Sequence, residues 1–540
     1  MKADKLILGK IITLDIVNVV QEAITVKDGM IQYVGSEEIA RKLCDENTEV
    51  LDYSDSFIYP GFIDAHCHGA MAGGRLAFYA ALNEGQTMDE YVKLMKEYIE
   101  AHPDNDFYYG AGWIIRDKEP TAKMLDEICP DKPICLNSTD AHSMWFNTKG
   151  MEKFGINEEA IKYWGTDIIR INEDGTPTGY VSEGPVTSII KQMGKMKTED
   201  MEKAFLIWQN FALSQGITAY YEAGVNEHYI EVIDGLIKKG KVKLRIFAGY
   251  VLDEHDEDYV EDVRKAKELA DKYNNEYFKI IGVKIFMDGV VEAHTAWMHE
   301  EYDDRPGYFG VKRFCDFDRV VELYKEAEKL GLNVHAHTIG DGAVKFAVDC
   351  IEAVQTETGN MDMRNALAHL QVVRKEDVVR LSKLNGMAIV APLWMKHSDG
   401  YYEQSEEFIG RKRTFEGYPL KSFLDNGGMI AFHTDYPVSP EMSAHESIYT
   451  AVKRNSPNAG DFYQWNANEC IGRMDAIRGL TQGPAFSVKA EDKLGILSEG
   501  YVANMCVYDK DFLNAPIEEI IDSKLLATIV DGEVLYKKED

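Results

Sequence analysis

Ser56-Phe-Ile-Tyr-Pro-Gly-Phe-Ile-Asp-Ala-His-Cys-His68 is a strand-like run that closes on two histidines one residue apart, His66 and His68. Side chains at i and i+2 of a strand project to the same face, so two imidazoles leave one strand tip together. That is a common beginning of a metal site. His-x-His is short, and in isolation a polar loop holding two histidines reads the same way. Working outward, further buried-looking strands follow: Gly216-Ile-Thr-Ala-Tyr-Tyr, Phe278-Lys-Ile-Ile-Gly-Val-Lys-Ile-Phe and Leu332-Asn-Val-His-Ala-His. Ala366-Leu-Ala-His, Met387-Ala-Ile-Val-Ala-Pro and Gly428-Met-Ile-Ala-Phe-His-Thr-Asp complete the series. Amphipathic helices, such as 317–330 and 341–356, separate some of them. Strands alternating with helices predict an α/β domain with a parallel sheet, and the span is long enough for a TIM (β/α)8 barrel with insertions.

Polar residues stand at the C-terminal tip of strand after strand: His66 and His68, Lys284, His335 and His337, His369, and Asp435. A lone histidine on an apolar strand is usually a hydrogen-bonded core residue. Several at matching strand ends are what a barrel active site looks like, because that face is built from the ends of different strands.

The two ends of the chain share another texture. Residues 1–56 hold short strand signals punctuated by turns such as Asp28-Gly29, and 485–540 hold similar ones, including Ala503-Asn-Met-Cys-Val-Tyr-Asp and Ala527-Thr-Ile-Val-Asp-Gly. The expected organisation is a small β-sandwich built from both termini, with residues 57–484 as the inserted barrel. The 540 residues carry a net charge of −32 without a polyacidic tail, which disfavours nucleic acid and anionic membrane as partners. No apolar run approaches the ~18 residues of a membrane span, and no secretory signal opens the chain. The eight cysteines show no CxxC pair, as expected of reduced thiols in the cytoplasm.

The order His-x-His, Lys, His, His, Asp along barrel strands resembles the amidohydrolase superfamily of metal-dependent hydrolases. The details are similar to its amidohydrolase family 3 branch, the YtcJ-like and N-substituted formamide deformylase-like proteins. The matching segments are Pro60-Gly-Phe-Ile-Asp-Ala-His-Cys-His, Asn137-Ser-Thr-Asp-Ala-His-Ser-Met-Trp-Phe-Asn and Gly216-Ile-Thr-Ala. Val283-Lys-Ile-Phe-Met-Asp-Gly, His335-Ala-His-Thr-Ile-Gly-Asp-Gly-Ala-Val and Ala368-His-Leu-Gln follow, then Thr434-Asp-Tyr-Pro-Val and Gly495-Ile-Leu-Ser-Glu-Gly. The resemblance implies that His66 and His68 bind one divalent metal and that His337 and His369 hold a second. Zinc is expected, with manganese or iron as alternatives and one or two ions per chain. Asp435 would bind metal and transfer protons, and Lys284 would be carboxylated to bridge the ions; its plain alternative is an ordinary lysine paired with an acid. His142 or His294 would polarise the substrate carbonyl, although His294 stands where the family commonly has arginine. His335 shares a strand face with His337 and is expected behind the ligands. Other departures are Glu222 for aspartate, His433 for glycine and Asn504 for aspartate.

The implied activity is hydrolysis of a non-peptide carbon–nitrogen bond of a small molecule, through a hydroxide activated by the metal. The same hydroxide attacks esters and lactones. Hydrolytic deamination is the other superfamily chemistry, but those deaminases carry a Glu three residues after the strand-five histidine, where this chain has Gly340. A non-catalytic scaffold is disfavoured because every expected ligand type is present. There is no GxSxG elbow, P-loop or Rossmann fingerprint. Segments 70–135, 140–195 and 288–312 are expected insertions and lids, and Trp113, Trp145, Trp297 and Trp394 lie in segments expected at the barrel mouth, as packing or as ligand contacts. Family habit suggests a homodimer.

Overall fold

Eight parallel strands, in chain order around the sheet, form the barrel of this computed structural model. We number them β1 (Phe62–Cys67), β2 (Ile217–Val225), β3 (Arg245–Val251), β4 (Phe278–Phe286), β5 (Asn333–Thr338), β6 (Ala366–His369), β7 (Met387–Val390) and β8 (Met429–Phe432). The structure describes all residues except 16–19, 83–86, 116, 139–142, 167, 183–195, 255–257, 398–400, 458–463 and 540. Each strand pairs with the next, and hydrogen bonds from Asp435 N to His66 O (3.0 Å) and His68 N to Tyr436 O (2.9 Å) join the ends of the series. The sequence alternation thus yields the TIM barrel it predicts. The strands are short and rich in Ile, Val and Ala, as buried parallel strands are.

Helices cover the outside by burying one stripe each. Phe317–Lys329 buries Val320, Val321, Leu323, Tyr324 and Ala327, and Asp316 caps it by accepting from Arg319 N. Asp341–Thr358 buries Val344, Ala347, Val348, Ile351 and Val354 and ends at Gly359, in the left-handed conformation that suits a glycine there. Inside the barrel, Ala65, Ala366, Ala368, Met387, Ile389 and Ala431 pack together from four strands. Small and branched residues fit because the interior of an eight-stranded barrel is filled by side chains rather than left as a pore.

The two chain ends build one small β domain. Its seven strands run Glu533–Lys537, Leu525–Val530, Met505–Tyr508, Glu49–Pro60, Lys5–Ile12, Val20–Lys27 and Met30–Gly35. Ile7, Ile24 and Ile58 from the first end share a core with Met505, Val507 and Ile529 from the second.

By compactness the chain divides into Met1–His68 with Gln209–Asp540, and Gly69–Trp208. The second unit holds its own six-stranded sheet, in which Leu136 and Trp145 enter one core while Cys135, Met144 and Phe146 enter another. That is the two-residue alternation of strands. Trp113 and Trp145 are fully buried here, their indole N–H groups donating to Leu136 O (3.0 Å) and Thr121 O (2.9 Å), so both are packing residues of this unit. Among the described residues, no disulfide joins the cysteines and no helix is long and apolar enough to cross a membrane.

Candidate metal centre

The site begins where β1 ends. Asp64 accepts from His66 N (3.0 Å), Thr434 N (3.2 Å) and Thr434 Oγ1 (2.5 Å), tying the tip of β1 to the segment after β8. Burial pushes the Asp64 carboxyl up to about 7, against the pull of those hydrogen bonds. The tie brings Asp435 over the His-x-His pair: its Oδ1 stands 3.3 Å from both His66 Nε2 and His68 Nε2. At that distance Oδ1 makes no well-aligned hydrogen bond. Burial disfavours its charge, yet His68, His433 and Lys284 hold its carboxyl below the usual value, so it is an anion.

The other strands deliver the remaining groups. His369 closes β6, with its ring centre 4.9 Å from that of His66 and 4.6 Å from that of His337. The ligand atoms of His66, His369 and Asp435 lie within 4.8 Å of one another. His369 (φ 80°) and Asp435 (φ 57°) both sit in the left-handed region, which costs a non-glycine residue of order 1–3 kcal/mol and collects at functional sites. Trp394 stacks on the His369 ring (5.4 Å, 16°) and fixes its own edge by donating from Nε1 to Ser439 Oγ (2.6 Å).

Two histidines are oriented from behind. His66 Nδ1 lies 2.8 Å from His335 Nε2, which leaves His66 Nε2 aimed at Asp435, and the His335 ring stacks on Tyr221 (4.4 Å, 13°). His337 Nδ1 lies 3.0 Å from Asp288 Oδ1, freeing its Nε2. Asp288 also accepts from Ile339 N (3.1 Å), Gly340 N (2.8 Å) and Trp297 N (3.0 Å), so it is rigid. A carboxylate behind a ligand histidine is the usual device for fixing its tautomer. Asp288 is absent from the ligand pattern expected from sequence; the signal was in Met287-Asp-Gly after β4, where Asp-Gly reads as a turn.

Lys284 ends fully buried, its Nζ without a hydrogen-bond partner and 4.9 Å from the Phe286 ring centre. Burial drives its pKa down to about 7, with Asp435 pulling the other way. Burial also keeps His66, His335 and His369 well below the ordinary histidine value, and His433 down at about 4. Their neutral imidazoles are the form a metal binds. His433, which stands in place of the expected glycine, is buried with its ring centre 5.1 Å from His66 and 5.0 Å from His369, and neither ring nitrogen is hydrogen-bonded.

The structure therefore gathers His66, His68, His369, Asp435, Lys284 and, through its ring contact with His369, His337. His294 is turned elsewhere: its Nε2 pairs with Asp304 Oδ2 (2.7 Å) and its ring packs on Phe408 and Tyr302. His142 lies outside the described residues. The unsatisfied buried ring nitrogen of His369 and carboxylate oxygen of Asp435, beside neutral imidazoles, suit a first-row divalent cation.

Comparison with known proteins agrees. The sequence profile described as the Amidohydrolase family matches residues 49–536. The putative amidohydrolase YtcJ of Bacillus subtilis (strain 168) is 25% identical over 96% of this chain and 96% of its own. The N-substituted formamide deformylase of Arthrobacter pascens is 25% identical over 97% of each chain. Among solved structures, an uncharacterized metal-dependent hydrolase from Pyrococcus furiosus superposes with a TM-score of 0.76 and 25% identity, covering 94% of this chain and all of that one.

Proposed function

We propose, on the premise that this chain belongs to the amidohydrolase family, that it hydrolyses a non-peptide carbon–nitrogen bond of amide type in a small molecule. The observation that carries the reading is the convergence of His66, His369 and Asp435 ligand atoms within 4.8 Å at the C-terminal end of the barrel. The deformylase named among the relatives supports the bond type.

His66, His68, His369 and Asp435 would hold a divalent ion, zinc by preference, with His337 and Lys284 available to a second. Such an ion supplies Lewis acidity, able to bring the pKa of a water from 15.7 to about 7. Asp435, an anion held over His66 and His68, would accept a proton from the attacking water and return it to the departing nitrogen. His335 and Asp288 hold the His66 and His337 rings in place, so the donors are preorganised. Burial leaves the Lys284 amine able to shed its proton near neutrality, and a neutral amine adds CO2, releasing one proton, to form a carbamate. The carbamate would put anionic oxygen donors where the structure holds a buried, unanswered amine.

The test is metal content by inductively coupled plasma mass spectrometry on protein purified without chelator, alongside turnover of N-formyl and N-acyl amines. Metal with amine release supports the reading, and a Lys284→Ala variant that drops from two ions to one supports the bridge. A protein that takes up no zinc or manganese, or one that binds metal yet cleaves only esters, refutes it.

A further inference from the structure

A cavity of about 380 Å³ lies between the loop after β4 and the helix Asp341–Thr358, and the proposed chemistry does not use it. Three aromatic rings line it, Trp297 and Phe309 from the loop and Phe346 from the helix. The Trp297 and Phe346 ring centres are 5.3 Å apart at 45°, so they form an angled wall rather than a closed stack. Lys312 Nζ stands 5.0 Å from the Trp297 ring centre, and Lys345 lines the cavity beside its own partner, Asp349. The carboxylate in the lining, Asp349, is already held by Lys345 (2.5 Å) and by Arg380 (2.8 Å). The cavity is thus cationic on balance, in a chain whose net charge is −32. Aromatic walls offer their faces and edges to a flat ring, and lysines answer an acidic substituent on it.

We propose that this cavity binds a planar aromatic anion of the aryl carboxylate class, and that its occupancy is felt at His337. The binding stands apart from the hydrolase reading, while the second clause rests on it. The connection is short. Trp297 N donates to Asp288 Oδ2 (3.0 Å), and Asp288 Oδ1 holds His337 Nδ1 (3.0 Å). On its other side, Trp297 O accepts from Gly342 N (3.0 Å) and Ala343 N (3.2 Å). The approach is close enough that a Cβ on Gly340 would meet Trp297 O at 2.2 Å, and one on Gly342 would meet the indole at 2.7 Å. The Trp297 backbone is therefore gripped between the helix and the carboxylate that orients a candidate metal ligand. A ring seated on its indole changes the load on that grip.

The experiment is calorimetric titration of the full-length, metal-loaded protein with 1-naphthoate, repeated with neutral 1-naphthalenemethanol and with the variants Lys312→Gln and Phe346→Ala. One-site binding is expected, weakened about ten-fold or more in each variant and for the neutral alcohol. Thermal melts of the variants check that they fold. No binding, or equal binding in wild type and both variants, overturns the site. Saturating naphthoate is also expected to change the rate at which a chelator strips the metal in wild type, by about two-fold or more, and not in Phe346→Ala. An unchanged rate with binding intact overturns the link to His337. A protein that holds no metal but still binds naphthoate would remove the hydrolase reading and leave the cavity's ligand standing.

Discussion

Lys5, in the small sheet built from the chain ends, and Lys284, at the tip of β4, are both buried, and the two regions treat a cation in opposite ways. Lys5 Nζ reaches Glu49 (2.7 Å) and Glu533 (3.1 Å), and despite the cost of burial these carboxylates keep its pKa above the usual lysine value. Lys284 meets no hydrogen-bonding partner, and burial brings its pKa down to about 7. The terminal sheet answers its buried cation from within, with Glu49 on the adjacent strand and Glu533 on the edge strand. At the barrel tips Lys284 Nζ, His369 Nδ1 and Asp435 Oδ1 are left unanswered, a costly choice for folding that makes sense where a ligand supplies the missing partner.

Asp435→Asn removes the anion above His66 and His68 while keeping its shape; turnover should fall by about 10³-fold or more, with the circular dichroism spectrum unchanged. Steady-state kinetics on an amide substrate would decide it, and a wild-type kcat would take Asp435 out of the mechanism. Asp288→Ala comes next. It frees His337 Nδ1, and chelator competition should show metal affinity lowered by about 10–100-fold. An affinity equal to wild type would mean that His337 does not bind the ion.

Lys284→Met tests the unanswered cation itself in metal-free protein. A base whose pKa is lowered on folding is a cost carried in full at low pH. The unfolded chain binds more protons between about 7 and 10.5, so stability should rise with pH across that window. Urea unfolding from pH 6.5 to 9.5 should show this rise in wild type and lose most of it in Lys284→Met, which should also be the more stable protein at the acidic end. A flat wild-type profile would mean that Lys284 is answered in solution. The smallest effect belongs to Lys5→Met. Its two partners are more than half exposed, at 58% and 64%, so the loss should be about 1 kcal/mol or less and shrink in high salt. A loss of several kcal/mol would show that the terminal sheet depends on this cation.

Much of the site was legible in advance because its signals are local. A strand ending in His66-Cys-His68, another ending in His369, and Asp435 just past a third each announce themselves within a few residues. What escaped were groups whose role is a distance between remote positions. Asp288 lies 49 residues from the histidine it orients, and Asp64 lies 370 residues from the Thr434 it binds. As residues they look like a turn acid and a strand-end acid. His335 was expected behind the ligands; that its partner is His66, 269 positions away, needed the barrel to close. Trp113 and Trp145 show the same limit from the other side. Tryptophan in a long insertion suits a binding wall or a core equally well, and the folded unit Gly69–Trp208 assigns both to its interior.

The sequence by itself determined the barrel and the kinds of side chain at its strand tips, because strand and helix periodicity and residue chemistry are written along the chain. Tertiary structure decided which of those side chains meet, which are held by a partner and which are left waiting. Closing eight strands into one ring turns large separations in sequence into hydrogen-bond distances, and it removes the water that would otherwise have satisfied Lys284, His369 and Asp435.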